Sequence, residues 1–264
     1  MIRVGVIGAA GKMGRQVCAA VHADPDLLLA AAVDTHEAGT PVGRLVGDPS
    51  IRIDVSDELD MLSEAEVEVA VDFTHPKAVM DNIRWCIRHA VHAVVGTTGL
   101  TEADVTAIRA LIAEEGDESN VFVAPNFAVG AVLMMSFASR AAEFLPAVEI
   151  VELHHDGKAD APSGTALRTA SEIARHREGA AEPPAGEVVP GARGAHVEGI
   201  RIHSVRLPGL IAHQEVIFGG PGETLTIRHD SYDRESFMPG VVLAVKAVSS
   251  RHGLTLGLES LLDL

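Results

Sequence analysis

Lysine is scarce in this chain. Its 264 residues include only Lys12, Lys77, Lys158 and Lys246, and 21 basic side chains stand against 37 acidic ones for a formal net charge of −16. That balance argues against nucleic acid and an anionic membrane surface as partners, because both require a basic face. A small anion can still bind, but only where the fold assembles a local positive site, so the few cations are informative. Long hydrophobic runs are missing as well. No stretch reaches the roughly 18 uncharged apolar residues of a membrane helix, and the apolar run in "MIRVGVIGAAGKMGR" is too short for a signal peptide. Cysteine is nearly absent: Cys18 and Cys86 lie far apart in helix-like segments, with no C-x-x-C pairing. Buried free thiols are expected, with neither a disulfide framework nor a zinc site. No internal repeat is visible. A soluble, cytoplasmic protein is the expectation. Hydrophobic residues make up 47% of the chain and charged ones 22%, as in globular proteins. The length suits two modest domains with real cores.

What is present begins with "IRVGVI", Ile2 to Ile7, a β-rich run that ends in "GAAGKMG", Gly8 to Gly14. Met13, Val17, Ala20 and Val21 then follow at helical spacing, and "LLLAAAVD" reads as a second strand ending at Asp34. Strand, glycine turn, helix, strand and terminal acid form a dinucleotide-binding βαβ unit. The glycines allow a tight turn and close backbone approach to a pyrophosphate. Gly8, Ala9, Ala10, Gly11, Lys12 and Met13 would wrap that group, and the helix N-terminus points free N–H groups and a positive dipole end at it. Asp34 can accept hydrogen bonds from the adenosine ribose. The spacing is G-x-x-G-x-x-G, not the commoner G-x-G-x-x-G. A carboxylate at Asp34 repels a 2′-phosphate and favours NADH, whereas Lys12 in the turn can offset that charge. Use of both NADH and NADPH, with NADH preferred, is the expectation.

Strand-like runs recur at "VEVAVDF" (Val67–Phe73), "HAVVGTTG" (His92–Gly99) and "NVFVAPNF" (Asn120–Phe127). In a doubly wound parallel sheet the loops after the strands' carboxyl ends face the ligand. "DFTHP", Gly96-Thr97-Thr98 and Ala124-Pro125-Asn126-Phe127 should therefore line one crevice with the glycine turn. Beyond Phe127 the pattern changes. Gly130 to Leu145 predicts a long helix, with Val132, Met135, Phe137 and Ala138 suggesting a largely buried body. "VEIVELHH", "GIRIHSVRLPG" and "AHQEVIFGGPGETLTIRHDS" then read as strands of an open, mostly antiparallel sheet, with Gly219–Gly222 as a hairpin signal. The stretch Glu178 to Gly194, rich in Pro, Gly and Ala, reads as a mobile loop. A last helix, about Arg234 to Ser250, should pack back on the first domain. The fold class is thus α/β: a Rossmann-type parallel sheet plus a smaller α+β domain.

One stretch of the second half concentrates chemistry: "ELHHDGKADAPSGTA", Glu152 to Ala166. His154 and His155 end a strand and point to opposite sides. Lys158 follows a "DG" turn. "APSGTA" opens a helix with Ser163 as N-cap, leaving the N–H groups of Gly164 and Thr165 as an anion site. Two imidazoles, an ammonium and a helix N-terminus would form a local positive pocket in an acidic protein. A lone histidine here would read as a strand cap; the whole cluster beside a nucleotide fold reads as a site. A metal is not expected, since Lys158 would repel it.

The same stretch resembles the signature of the 4-hydroxy-tetrahydrodipicolinate reductase (dihydrodipicolinate reductase) family of lysine and diaminopimelate biosynthesis. "GAAGKMG", "DFTHP", "GTTG", "APNF", "PGARG" and "GETLTIRHDS" match the family pattern in order along nearly the whole chain. The resemblance implies a cyclic dicarboxylate substrate and a hydride passed from NADH or NADPH to a conjugated C=C–C=N system, followed by protonation of the resulting enamine. By similarity His154 is the general acid with Lys158 assisting or itself donating the proton, and His155, Gly164 and Thr165 hold a carboxylate. It also implies a dinucleotide domain formed by residues 1–128 and 240–264, a substrate domain over 129–239, closure about hinges near Phe127 and residue 240, and a homotetramer. The chain departs from the pattern at Gly157, where family members often have a further histidine. Another two-domain dehydrogenase would share the first half but lack the H-H-x-x-K and S-G-T constellation. A semialdehyde dehydrogenase would need a nucleophilic cysteine at the nicotinamide, and Cys86 is poorly placed for that. A non-catalytic redox sensor would bind nucleotide and keep its function without His154 and Lys158.

Overall fold

The computed structural model describes residues 1–115, 118–178 and 186–262. The chain divides into two compact units, one built from Met1–Val129 together with the segment from Arg234 onward, the other from Gly130–Asp233.

The first unit is a seven-stranded sheet. Its strands are β1 (Ile2–Ile7), β2 (Leu27–Val33), β3 (Val55–Ser56), β4 (Val69–Asp72), β5 (His92–Val95), β6 (Val121–Val123) and a C-terminal strand, Leu254–Leu256. From one edge the order is C-terminal strand, β6, β5, β4, β1, β2, β3, and every pairing is parallel. Helices α1 (Lys12–Ala23), α2 (Val42–Val46), α3 (Met61–Glu64), α4 (Val79–Arg88) and α5 (Glu102–Glu115) connect the strands. Strands covered on both faces must be apolar throughout, and Val4, Val6, Val69, Val71, Val94 and Val95 are all fully buried or nearly so. Winding reverses at β1, which has β2 on one side and β4 on the other. The ladder is shorter than the apolar runs suggest. β4, β5 and β6 end at Asp72, Val95 and Val123, one last ladder bond running from Gly96 N–H to the Asp72 carbonyl at 2.9 Å, and after β6 the chain turns where Ala128 N–H donates to the Asn126 side chain at 2.9 Å. Cys18 and Cys86 are buried free thiols. Burial pushes Cys18 up to about 12 and raises Cys86 further, so neither is a nucleophile.

The C-terminal segment of this unit is a helix, Met238–Ala247, flanked by two single 3₁₀ turns. Lys246 anchors it, reaching Asp24 at 2.8 Å and Asp26 at 2.7 Å. Gly240 packs directly against the rest of the unit: a Cβ there would fall 2.0 Å from the Phe127 carbonyl oxygen.

The second unit pairs α6 (Val129–Ala142) and α7 (Gly164–His176) with a five-stranded sheet of β7 (Ala147–His154), β8 (Ala195–Val197), β9 (Ile200–Arg206), β10 (Ala212–Gly220) and β11 (Glu223–Ser231). Its order is β11-β10-β7-β9-β8, antiparallel except for β7 with β9. Pro221 and Gly222 make the hairpin turn between β10 and β11, and Gly222 has φ +79° as the second turn position requires. One sheet face is core, with Val148, Ile150, Ile200, Ile202, Val216 and Phe218 buried beside Ala166, Ala170 and Ile173 of α7. A buried hydrogen bond from Gln214 to the Thr169 hydroxyl, 2.7 Å long, ties β10 to α7. In α6, Val132, Met135 and Ala138 are buried as expected, but Phe137 is 52% exposed. Helical periodicity turns residue 137 to a flank away from the core stripe, which corrects the inclusion of Phe137 in a largely buried helix body. Part of the presumed loop, residues 179–185, lies outside the described residues. After it, Glu187 accepts the N–H groups of Gly191 and Arg193 at 2.7 and 3.0 Å and closes an exposed turn.

Gly240→Ala should force the C-terminal helix away from Phe127, costing about 1–3 kcal/mol and lowering Tm by several degrees. Thermal denaturation checks this, and an unchanged Tm contradicts the close approach.

Candidate active site

The glycine turn of the first unit is shaped by backbone contacts. Gly8 has φ +82°, and a Cβ there would meet the Phe73 carbonyl oxygen at 3.0 Å; a Cβ on Gly14 would fall 2.0 Å from the Gly8 carbonyl oxygen. Gly11 is the N-cap of α1 and offers no side-chain cap, so the first-turn N–H groups have no helical acceptor. Lys12 is exposed as the first residue of α1, with Met13 half-buried behind it, while Ala9 is buried and can meet a ligand only through its backbone. Asp34 is positioned by two amides: Ala10 N–H donates to one carboxylate oxygen and His36 N–H to the other, both at 2.9 Å. Each oxygen keeps a lone pair for a hydroxyl. Turn, free amides and acid fit a dinucleotide.

The loops after β4, β5 and β6 come together at the same sheet edge. A Cβ on Gly96 would overlap the Phe73 ring at 2.1 Å, and Phe73 in turn lies 5.8 Å from the Phe127 ring. Asp72, which the sequence reading did not single out, organises these loops. It is buried and accepts from Thr74 N–H at 2.9 Å, the Thr74 hydroxyl at 2.8 Å, the Thr97 hydroxyl at 2.9 Å and Asn82 at 2.7 Å. The Thr97 side chain is thereby turned into the protein. Phe127 and Ala124 are buried too, whereas Thr98 and Pro125 are exposed and Asn126 is half-exposed, its side chain accepting from Ala128 N–H.

The second unit brings His154, Lys158 and the start of α7 together at the end of β7. His154 is the last residue of β7, and its Nδ1 lies 2.5 Å from a Glu152 carboxylate oxygen. Arg206, on β9 opposite His154, binds both Glu152 oxygens at 2.8 and 2.9 Å. Lys158 binds both oxygens of Asp160 at 2.7 and 2.9 Å. The cations are therefore matched by carboxylates, and net positive charge arises only when His154 is protonated, a correction to the simple positive pocket. Burial draws the His154 imidazole below its usual range, with Glu152 opposing and Lys158 and Arg206 reinforcing the fall. His155 is exposed beside the turn, and a Cβ at Gly157 would crowd its ring at 3.3 Å.

Ser163 caps α7 by accepting from Ala166 N–H at 3.2 Å. The N–H groups of Gly164 and Thr165 precede the first helical bond, from Leu167 to Ser163, and so remain for an anion. A Cβ on Gly164 would meet nothing within 4 Å, so that glycine leaves open space in front of these amides. Among the described residues no group of three His, Cys, Asp or Glu is arranged for a metal. Sequence reasoning missed Glu152, Asp160 and Arg206. The signal for Glu152 was its spacing of two from His154, which places both side chains on one face of a strand.

The family models described as "Dihydrodipicolinate reductase, N-terminus" and "Dihydrodipicolinate reductase, C-terminus" match residues 2–127 and 130–262. This chain belongs to the dihydrodipicolinate reductase family. The 4-hydroxy-tetrahydrodipicolinate reductases of Nocardia farcinica and Mycobacterium marinum are 51% and 52% identical to it, over the whole of this chain and 99% and 100% of theirs. A dipicolinate-bound dihydrodipicolinate reductase from Paenisporosarcina superposes with a TM-score of 0.86 at 43% identity, covering 98% of this chain and 99% of that one. An amine dehydrogenase from Mycobacterium smegmatis, 14% identical with a TM-score of 0.65 over 95% of this chain and 93% of its own, shares the fold alone. As a dihydrodipicolinate reductase family member the chain is an oxidoreductase that uses a nicotinamide cofactor.

Gly164→Ala should leave Tm unchanged, since the methyl group meets no protein atom, yet weaken binding of pyridine-2,6-dicarboxylate about tenfold, equivalent to about 1.4 kcal/mol. Calorimetric titration measures this, and undiminished affinity would place the carboxylate elsewhere.

Proposed function

We propose that the chain reduces 4-hydroxy-tetrahydrodipicolinate to tetrahydrodipicolinate with NADH, NADPH or both. The observation that carries this reading is the convergence of His154 and the uncapped Gly164 and Thr165 amides at the end of β7, in a chain whose two halves match the family. Residues 1–128 and 240–264 hold the dinucleotide, and residues 129–239 hold the dicarboxylate. Gly8, Ala9, Ala10, Gly11, Lys12 and Met13 wrap the pyrophosphate. Asp34 takes the ribose hydroxyls, and the loops Gly96-Thr97-Thr98 and Ala124–Phe127 border the nicotinamide.

His155 and the Gly164 and Thr165 amides hold one substrate carboxylate. Loss of the 4-hydroxyl as water leaves a conjugated C=C–C=N system in the ring. When bound, the nicotinamide supplies a hydride. Addition leaves an enamine, and protonated His154 gives its proton to the enamine carbon as the nitrogen lone pair restores C=N, leaving neutral imidazole. Burial lowers the His154 pKa, which favours release of that proton, and activity falls as pH rises through it. Lys158, held by Asp160, stabilises negative charge as it develops.

His36 lies beside Asp34, and Lys12 is exposed at the start of α1; both support NADPH use alongside NADH. The face of the second sheet away from its core carries half-buried Val151, Leu153, Val205 and Ile217, an apolar band that suits self-association into a homotetramer. No described helix is long and apolar enough to cross a membrane, and we place the enzyme in the cytoplasm with its soluble substrate.

The test is NADH consumption with substrate generated in the cuvette from pyruvate and aspartate semialdehyde by the preceding synthase, repeated with NADPH. Turnover is expected with both, faster with NADH; no turnover with either overturns the reading. His154→Ala and Lys158→Ala should each lower kcat, the former by about 10²–10⁴-fold, with NADH affinity nearly unchanged. Loss of NADH binding would contradict that division of labour. Asp34→Ala should weaken NADH and shift the cofactor ratio toward NADPH. An unchanged ratio would mean that Asp34 does not reach the ribose.

A further inference from the structure

We propose that Glu152 is a positioning residue for proton transfer: clamped by Arg206, it fixes Nδ1 of His154 as a permanent donor and leaves Nε2 as the only nitrogen that gains and loses the proton. The inference rests on His154 being the acid of the reduction.

Glu152 has no exposure to solvent. Its two oxygens are filled. One lies 2.5 Å from His154 Nδ1 and accepts from Arg206 at 2.8 Å; the other accepts from Arg206 at 2.9 Å and from Ser163 N–H at 3.2 Å. A carboxylate offers about four acceptor positions, so none is left for substrate, and Glu152 can act only through its neighbours. A bidentate guanidinium keeps it ionised. An ionised carboxylate can only accept, so Nδ1 must carry hydrogen whether His154 is charged or neutral. When the Nε2–H bond breaks and the new C–H bond forms, neutral His154 still donates from Nδ1.

Strand geometry produces the arrangement. Residues 152 and 154 share a face of β7, and the parallel register sets Ser204 beside Glu152 and Arg206 beside His154. Arg206 also donates to the Asp160 carbonyl at 2.6 Å, and Ser163 caps α7. One carboxylate therefore ties the acid, the Lys158 loop and the anion-binding amides together. The charged groups acting on His154 are Glu152 on its own strand, Arg206 on β9 and Lys158 in the loop; of these, Glu152 alone favours the imidazolium.

The test combines ¹⁵N NMR of His154 in the cofactor-free enzyme with pH profiles of kcat. In the wild type, neutral His154 should be the Nδ1–H tautomer alone. Glu152→Gln should give mixed tautomers and move the high-pH loss of kcat downward by about 1 unit or more, with kcat falling more than KM rises. Glu152→Asp, which keeps the charge, should restore the position of that limb. If Glu152→Gln does not fold, the double variant Glu152→Gln/Arg206→Gln removes both buried charges together, and mixed tautomers are again expected. An Nε2–H tautomer in the wild type, or an unmoved limb with a single tautomer in either variant, overturns the proposal. The NMR result stands whether or not the wild type turns over, so failure of the reductase reading is seen separately.

Discussion

A charge cannot be taken wholly out of water unless its partners replace the water. Glu152 lies in the core row of β7 with Val148 and Ile150, and that constraint organises the second unit. The guanidinium of Arg206 must come from the adjacent strand, the imidazole of His154 from two residues along, and an amide from the turn entering α7. Removing one member of such a buried pair costs about 3–5 kcal/mol, so the set stands or falls together. The geometry of this end of the sheet is fixed by electrostatic necessity before any ligand arrives.

The first unit solves a related problem with neutral donors. Asp72 ends β4 inside the protein and is satisfied by hydroxyls, one backbone amide and Asn82. Its partners pin the loops after β4 and β5 next to the glycine turn, where Gly8 and Gly14 let two stretches of backbone approach within a distance no side chain permits. Each unit thus places its working loops by burying an acid at or near the end of a strand. The difference is that Asp72 needs only dipoles, whereas Glu152 faces a titrating imidazole and has an arginine of its own.

Local features were the legible ones. "IRVGVI" coincides with β1 because alternative periodicities do not compete in an apolar run that meets a glycine turn. The Pro221-Gly222 turn was marked by residues with few other conformations. The H-H-x-x-K and S-G-T spacing lies within a dozen residues, so its members were bound to meet. Glu152 and Arg206 are 54 residues apart, and only strand register brings them together. A sequence pattern cannot show that register. The pairing of Lys158 with Asp160 was hidden differently: two residues apart in a loop, they had no period to indicate a shared side. Phe137 misled because an apolar residue in an apolar helix invites burial, while its helical angle decides otherwise. Short edge strands such as β3 and β8 carry too few residues to show alternation.

The central claim is that a substrate carboxylate docks on the free amides of α7 beside an imidazole already held by Glu152. Amide and imidazole NMR of the full chain during titration with pyridine-2,6-dicarboxylate tests it most directly. Gly164 and Thr165 N–H signals should shift downfield together and saturate at one stoichiometric site, with His154 Nε2 perturbed and Nδ1 unmoved. Saturable binding that leaves Gly164 and Thr165 unshifted, or that moves Nδ1 in place of Nε2, would contradict it.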